Sequence, residues 1–191
     1  MRSAFLITVI CGGALTAFAQ QEYSKQDVSV QALGSFVKST WDKGIEQTAS
    51  DSGGVLASYR YFFTKNNGVE INYAFTTNTQ SYSGLGVDTH SSEASAAYVF
   101  RMPLKHFTPF VLAGAGGLVF DPKNFVGAST QARAAFVYGG GADFDIGRHV
   151  FVRAEYRGLV YNSPTYDLSV LNGADRITHR AEPSIGFGYR F

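Results

Sequence analysis

The chain's last nine residues constrain its fold most. Pro183-Ser184-Ile185-Gly186-Phe187-Gly188-Tyr189-Arg190-Phe191 alternates with period two, so Ile185, Phe187, Tyr189 and Phe191 share one face and Ser184, Gly186, Gly188 and Arg190 the other. A strand with two such different faces needs two different environments. Its length approaches the ~9–11 residues a strand needs to cross a bilayer. Pro183 donates no ladder hydrogen bond, which predicts a position near the strand start or at a bulge.

The same periodicity recurs upstream. Runs at 28–37, 54–63, 69–77, 92–101, 109–120, 132–145, 150–160 and 180–191 read as eight strands. The intervals between them alternate long and short: 38–53 is long, 64–68 short, 78–91 long, 102–108 short, 121–131 intermediate, 146–149 short and 161–179 long. Asn67-Gly68 and Gly147 are read as hairpin residues able to take positive φ. The pattern predicts an all-β, closed, antiparallel up-and-down barrel of eight transmembrane strands, with short turns at one end and longer loops at the other. The 21 Gly, 16 Phe and 11 Tyr, and the lack of any long helical period, fit β structure.

Residues 1–19 carry one charge, Arg2, an apolar stretch from Ala4 to Leu15, and Ala17-Phe18-Ala19 before Gln20. This reads as a secretory signal peptide, with Ala17 and Ala19 at the cleavage-reading positions and 20–191 as one barrel domain. The apolar core is shorter than the ~20 residues of a spanning helix. Val9-Ile10 before Cys11 does not fit a lipidation site, and cleavage would remove this single cysteine, so disulfides play no part. The near-neutral balance of 16 basic and 15 acidic residues offers no surface for nucleic acid.

Charge decides which face lies inside. In the seventh run Val150, Val152, Ala154 and Tyr156 oppose Phe151, Arg153, Glu155 and Arg157, and in the sixth Ala134, Phe136, Tyr138 and Phe144 oppose Arg133, Asp143 and Asp145. Val69, Ile71, Tyr73 and Phe75 oppose Glu70 and Asn72, while Arg60, Glu93 and Arg101 add to the polar side. Both parities of 109–120 are apolar, leaving that run without an orientation. Lys25, Lys38, Lys43, Lys65, Lys105 and Lys123 lie in loops, turns or strand ends, whereas Arg60, Arg101, Arg133, Arg153, Arg157, Arg180 and Arg190 lie within strands. A sheet face in water would use Lys freely; an enclosed one favours Arg, whose planar fork pairs bidentately with carboxylates. The expectation is an interior charge network of Arg60, Glu70, Glu93, Arg133, Asp143, Arg153, Glu155, Arg157, Arg180 and Glu182, with Asp145 as a further counter-ion. Aromatics at the short-turn ends of even-numbered strands, Tyr61, Phe63, Tyr98, Phe100, Phe144, Tyr189 and Phe191, are read as an interfacial girdle.

Gly139-Gly140-Gly141-Ala142-Asp143-Phe144-Asp145, then a short turn and Val152-Arg153-Ala154-Glu155-Tyr156-Arg157, together with the closing Gly-Phe-Gly-Tyr-Arg-Phe, resemble the small outer-membrane β-barrel proteins of the OmpA/OmpX and opacity-protein type. The likeness covers the mature chain. It implies a bacterial outer-membrane location, lipid contact, and a terminal strand read by the barrel-assembly machinery through Tyr189 and Phe191. The periplasmic peptidoglycan-binding domain found in part of that family is not present in this sequence.

Candidates for chemistry are few, and neither a cofactor nor a metal is expected. His90, His106, His149 and His179 form no H-E-x-x-H pair. His90-Ser91-Ser92-Glu93 has the residue types of a hydrolase, loosely like the His-x-Ser element of outer-membrane lipid A deacylases, but strand alternation puts Ser92 outward and Glu93 inward. Gly114–Gly117 and Gly139–Gly141 do not fit phosphate-binding loops and read as relief of crowding in a curved sheet. The leading expectation is a monomeric, non-enzymatic protein with a structural or surface-contact role. Its contacts would run through loops near Thr40-Trp41-Asp42, Ser81-Tyr82-Ser83, Asp121-Pro122 and Ser163-Pro164-Thr165-Tyr166, with Trp41, Tyr82 and Tyr166 as contact residues. A secreted soluble barrel holding an apolar ligand is the rival reading, and an outer-membrane lipid-modifying hydrolase a third.

Overall fold

A computed structural model describes residues 24–37, 40–42, 45–49, 52–82, 85–122, 131–162 and 177–191. Ten strands run in order: β1 Gln26–Val37, β2 Thr40–Asp42, β3 Ile45–Ala49, β4 Ser52–Phe62, β5 Asn67–Tyr82, β6 Leu85–Arg101, β7 Phe107–Pro122, β8 Gln131–Asp145, β9 Val150–Asn162 and β10 Ile177–Arg190. The sheet order is β2-β3-β5-β4-β1-β10-β9-β8-β7-β6, and a β5–β6 ladder closes it. The result is a closed antiparallel barrel of eight main strands, with the β2–β3 hairpin extending the wall beside β5 at the loop end. Closure leaves the barrel wall without an open edge, as a chain crossing lipid requires.

The first and last strands seal the barrel, and their pairing reaches the short-turn side. Val28 pairs with Tyr189 across β1 and β10. The Phe191 N–H donates to the Gln26 carbonyl at 3.0 Å, and Arg190 N–H to His149 O at 2.8 Å. Turns 63–66, 102–106 and 146–149 close the same end; Met102 N–H reaches Pro109 O at 2.9 Å, and Leu104 N–H reaches Phe107 O at 3.0 Å.

The faces follow the alternation. Along β5, Val69, Ile71, Tyr73 and Phe75 point outward and are exposed, while Glu70, Asn72, Ala74 and Thr76 are buried. The run that polarity could not orient, β7, turns Phe110, Leu112, Leu118 and Phe120 inward and Val111 and Val119 outward. Its register with β6 and β8 fixes that choice, and its inner residues join Val99, Val137, Leu159 and Tyr161 in an apolar sector of the interior.

Three local expectations are corrected. The interval 78–91 is largely strand: β5 continues to Tyr82 and β6 begins at Leu85, because the ladder outlasts the hydrophobic alternation once the hairpin leaves the bilayer. Likewise 38–53 contains β2 and β3. Pro183 sits in mid-β10, paired with Tyr156 of β9; on the β1 side the register passes from Leu33–Ser184 to Phe36–Ala181, leaving Gly34 and Ser35 out of the ladder. Equal numbers of residues are skipped on both strands, so this is a gap rather than a bulge.

Neither Gly68 nor Gly147 takes a left-handed φ; Gly68 is needed for space instead. It lies directly across from Phe62, and a Cβ there would collide with the Phe62 ring. The arrangement repeats inside the barrel for Phe110 opposite Gly141 and Phe151 opposite Gly188, and outside for Tyr138 opposite Gly158. A bare glycine lets an aromatic ring lie flat on the neighbouring strand, a cross-strand contact that also pins register. At Gly141 a Cβ would stand 2.9 Å from Phe110 Cζ and against the Ala154 carbonyl. Gly141→Ala is therefore expected to destabilise the folded barrel by about 1–3 kcal/mol, read as a lower urea midpoint in lipid vesicles.

Candidate functional site in the barrel interior

The inward parity of β1, β4, β5, β6, β8, β9 and β10 brings ionisable side chains into the barrel from across the sequence. They form three clusters, numbered here from the short-turn end. In the first, Arg153 is central: Nε lies 2.7 Å from Asp143 Oδ1, and Nη2 lies 3.0 Å from Asp143 Oδ2 and 3.1 Å from Asp27 Oδ1. Its Nη1 donates to Ser29 Oγ at 3.1 Å. Arg190 pairs with Asp145 and, at 3.1 Å, with Asp143. Arg101 approaches Asp27 at 4.0 Å and donates to the carbonyls of Lys65 and Ser24 at 3.1 and 3.0 Å.

In the second cluster Arg60 pairs with Glu70 and lies 3.4 Å from Glu155, while Asn72 Nδ2 donates to Glu70 at 2.6 Å. In the third, Arg157 Nη2 sits between Glu182 at 2.6 Å and Glu93 at 3.1 Å. Arg180 reaches Glu182 at 2.9 Å and donates to Thr76 Oγ1 at 2.7 Å and Ser91 Oγ at 3.2 Å. Arg133 is half-buried near the loop end of β8, where its Nη2 donates to Gln131 Oε1 at 3.2 Å.

The guanidinium groups also stack on the inward rings. Arg101 lies 3.3 Å from the Phe62 ring centroid and Arg60 3.9 Å from that of Phe110; Arg190 and Arg153 lie 4.5 and 4.9 Å from that of Phe151. Each of these rings rests on a cross-strand glycine, giving a glycine–phenyl–guanidinium stack. Such contacts gain strength when water is excluded. Arg60, Arg153, Arg157 and Arg180 are each at most 1% exposed. Among the described residues the interior is therefore packed with ionic and aromatic side chains, as an eight-stranded cylinder permits.

Sequence reading missed Asp27, placed one residue outside the first run although it shares the parity of Ser29 and Gln31. It also left Arg101 and Arg190 out of the core set and gave the inward phenylalanines no role. Parity was the available signal for all of them. At the suggested hydrolase element, His90 packs outside against Phe75 with ring centroids 5.5 Å apart, whereas Glu93 is inside with Arg157. Ser92 lies on the outward parity beside His90, so the three are not assembled into a triad. At the terminal strand, Tyr189 points outward, stacked on His149 at 5.5 Å and edge-on to Phe191 at 5.2 Å. Ala17, Ala19 and Tyr166 lie outside the described residues, as do the side chains of Trp41 and Tyr82. Among the described residues no His, Cys, Asp and Glu cluster could hold a metal ion.

The chain matches the model of the outer membrane protein beta-barrel domain over residues 5–191. It belongs to that family. It is thus a β-barrel of the bacterial outer membrane, its apolar belt in contact with lipid. Among solved structures it is similar to Ail, the attachment invasion locus protein of Yersinia pestis, at 23% identity and TM-score 0.56, covering 88% of this chain and 99% of that one. Neisserial surface protein A aligns with TM-score 0.66 at 14% identity, covering 88% and 98%. OprG of Pseudomonas aeruginosa aligns with TM-score 0.62 at 16% identity, covering 91% and 99%. At these identities the likeness is one of fold. No curated protein sequence matches the chain.

Removing one partner of a buried pair strands the other charge, at a cost of about 3–5 kcal/mol. Arg153→Ala, which leaves Asp143 to Arg190 alone and Asp27 with only the 4.0 Å approach of Arg101, should lower the unfolding free energy toward that order in vesicle-based urea titrations. Arg153→Lys should recover only part, because an ammonium cannot span both Asp143 oxygens and stack on Phe151.

Proposed function

We propose that this protein is a non-enzymatic outer-membrane barrel that makes surface contacts through its loop end, with the barrel as a sealed mount. The observation that carries this reading is the packed interior among the described residues: Arg153, Asp27 and Asp143 pair across the short-turn end, which disfavours solute transfer along the axis. The β5–β6 hairpin reaches beyond what a membrane strand needs, 16 and 17 residues against about 9–11. It carries a ladder, flanked by β3 at Gln80–Tyr82, past the bilayer toward the cell exterior, where the longer loops of such barrels lie. Insertion through the barrel-assembly machinery, reading Tyr189 and Phe191, belongs to the same reading.

The chemistry of the partner is narrowed by charge. In sequence, the intervals 38–53, 78–91, 121–131 and 161–179 carry Asp42, Glu46, Asp51, Asp88, Asp121, Asp167 and Asp175 against Lys38, Lys43, Lys123 and Arg176. Ail has been solved with the heparin analogue sucrose octasulfate. The acidic excess here favours a neutral or cationic protein partner over a sulfated polyanion.

The test combines two measurements on one protein. In planar bilayers the purified barrel is expected to show no steady ion conductance. Cells expressing it should adhere to immobilised extracellular proteins, and replacing 80–87 by a short Gly-Ser turn should reduce adhesion to the vector level. The barrel's boiling-dependent shift in electrophoresis should persist in that variant. Steady conductance, or adhesion at the vector level for the wild type, would overturn the proposal.

A further inference from the structure

The short-turn end has a charge pattern unlike the rest of the molecule. Lys25 precedes β1, Lys65 lies in turn 63–66, Lys105 in turn 102–106 and Arg148 in turn 146–149, and all four are exposed. The acidic side chains at this end are turned away or paired. Asp27 and Asp143 are 1% exposed and bound to Arg153, and Asp145 pairs with Arg190. The Phe191 carbonyl oxygen accepts from Ser24 Oγ at 2.6 Å. Among the described residues, no exposed acidic side chain offsets the four cations.

The same turns are greasy. Phe63 and Met102 are each 52% exposed, Leu104 60% and Ile146 61%, so every turn presents an apolar side chain within two residues of its cation. Just inside them Tyr61, Tyr98, Phe144 and Tyr189 ring the outer wall. A face meeting only water or a soluble polyanion gains nothing from exposed Leu104 and Ile146. A face seated at the headgroup level buries those side chains among acyl chains while lysine and arginine stems extend to the phosphates.

We propose that Lys25, Lys65, Lys105 and Arg148 form a basic collar that binds anionic phospholipid headgroups in the leaflet adjoining the short turns, the periplasmic leaflet in outer-membrane barrels. The cations stand on three separate turns and on the segment before β1, so the collar enriches anionic lipid in the annulus rather than gripping one molecule. This inference needs the membrane-spanning barrel and is independent of what the loops contact.

The test uses the full mature chain folded in nanodiscs of phosphatidylcholine with a minority of phosphatidylglycerol. Electron paramagnetic resonance of spin-labelled lipids reads the motionally restricted fraction of each headgroup. Wild type is expected to restrict phosphatidylglycerol over phosphatidylcholine by roughly fivefold, a preference that falls toward parity near 1 M salt, where the Debye length is about 3 Å. K25Q/K65Q/K105Q/R148Q should abolish the preference at low salt, and K25R/K65R/K105R should keep it. Boiling-dependent migration verifies folding of each variant, and the wild-type salt series stands alone if the neutral variant does not fold. Equal restriction of the two lipids by wild type, or a preference unaffected by salt, would overturn the proposal. So would sedimentation with purified peptidoglycan sacculi that the neutral variant loses, in the absence of any lipid preference, since the collar would then serve the cell wall.

Discussion

Much of the barrel's interior depends on one interaction, a guanidinium held against a phenyl ring that lies flat on a glycine. Arg153 illustrates it: carboxylates of Asp27 and Asp143 take its edge donors, and the Phe151 ring, resting on Gly188, lies 4.9 Å from its centre. An isolated buried ion would be prohibitive, and a buried ion pair alone often does no better than an apolar substitute of equal volume. Here the hydrogen-bond edge and a flat face of the same group are both occupied. Lysine has neither the plane nor the fork, which is why arginine holds the inward strand positions while lysine is confined to their ends.

That arrangement constrains the wall around it. A flat ring requires a neighbouring strand without a Cβ, so Gly68, Gly141 and Gly188 are fixed by what they face rather than by backbone dihedral. The inner rings Phe62, Phe110 and Phe151 lie toward the short-turn end, where Arg101, Arg153 and Arg190 converge on Asp27, Asp143 and Asp145. Toward the loop end the pairs are Arg157 and Arg180 with Glu93 and Glu182, supplemented by hydroxyls of Thr76 and Ser91. Among the described side chains, the β7 sector contributes no ions. Its inward Leu112, Leu118 and Phe120 join the apolar cluster, while Phe110 carries the Arg60 guanidinium 3.9 Å from its ring centroid, so the charged clusters meet a low-dielectric surface on one side.

Parity made most of this legible in advance. Residues such as Arg60, Glu70, Arg153 and Glu155 could be turned inward because each alternated with side chains suited to lipid, and the arginine-for-lysine preference told an enclosed face from a wet one. The signal failed where parity carried no contrast. Both faces of β7 are apolar, so only its neighbours' register could orient it. The upper halves of β5 and β6 are polar on both faces, so alternation stopped at the bilayer although the ladder went on. Asp27 fell outside a run begun at the first apolar residue. Gly68 looked like turn chemistry beside Asn67, and only its partner Phe62, brought opposite by the fold, reveals its role in packing.

Similarity to solved barrels at 14–23% identity with TM-scores of 0.56–0.66 follows from the same physics. Alternation, closure and a filled interior specify a cylinder of this size, and many residue sets meet those terms as long as inward charges find partners and inward rings find space. The two rims are held to different terms. The short-turn rim must rest in headgroups, which ties its composition to lipid chemistry and accounts for exposed Leu104 beside Lys105. The loop rim is free of the bilayer, so its segments can change length and charge without disturbing Arg153 and its partners. Placing the rigid ionic lock at one end and the projecting β5–β6 ladder at the other separates what stabilises the protein from what it can present at the cell surface.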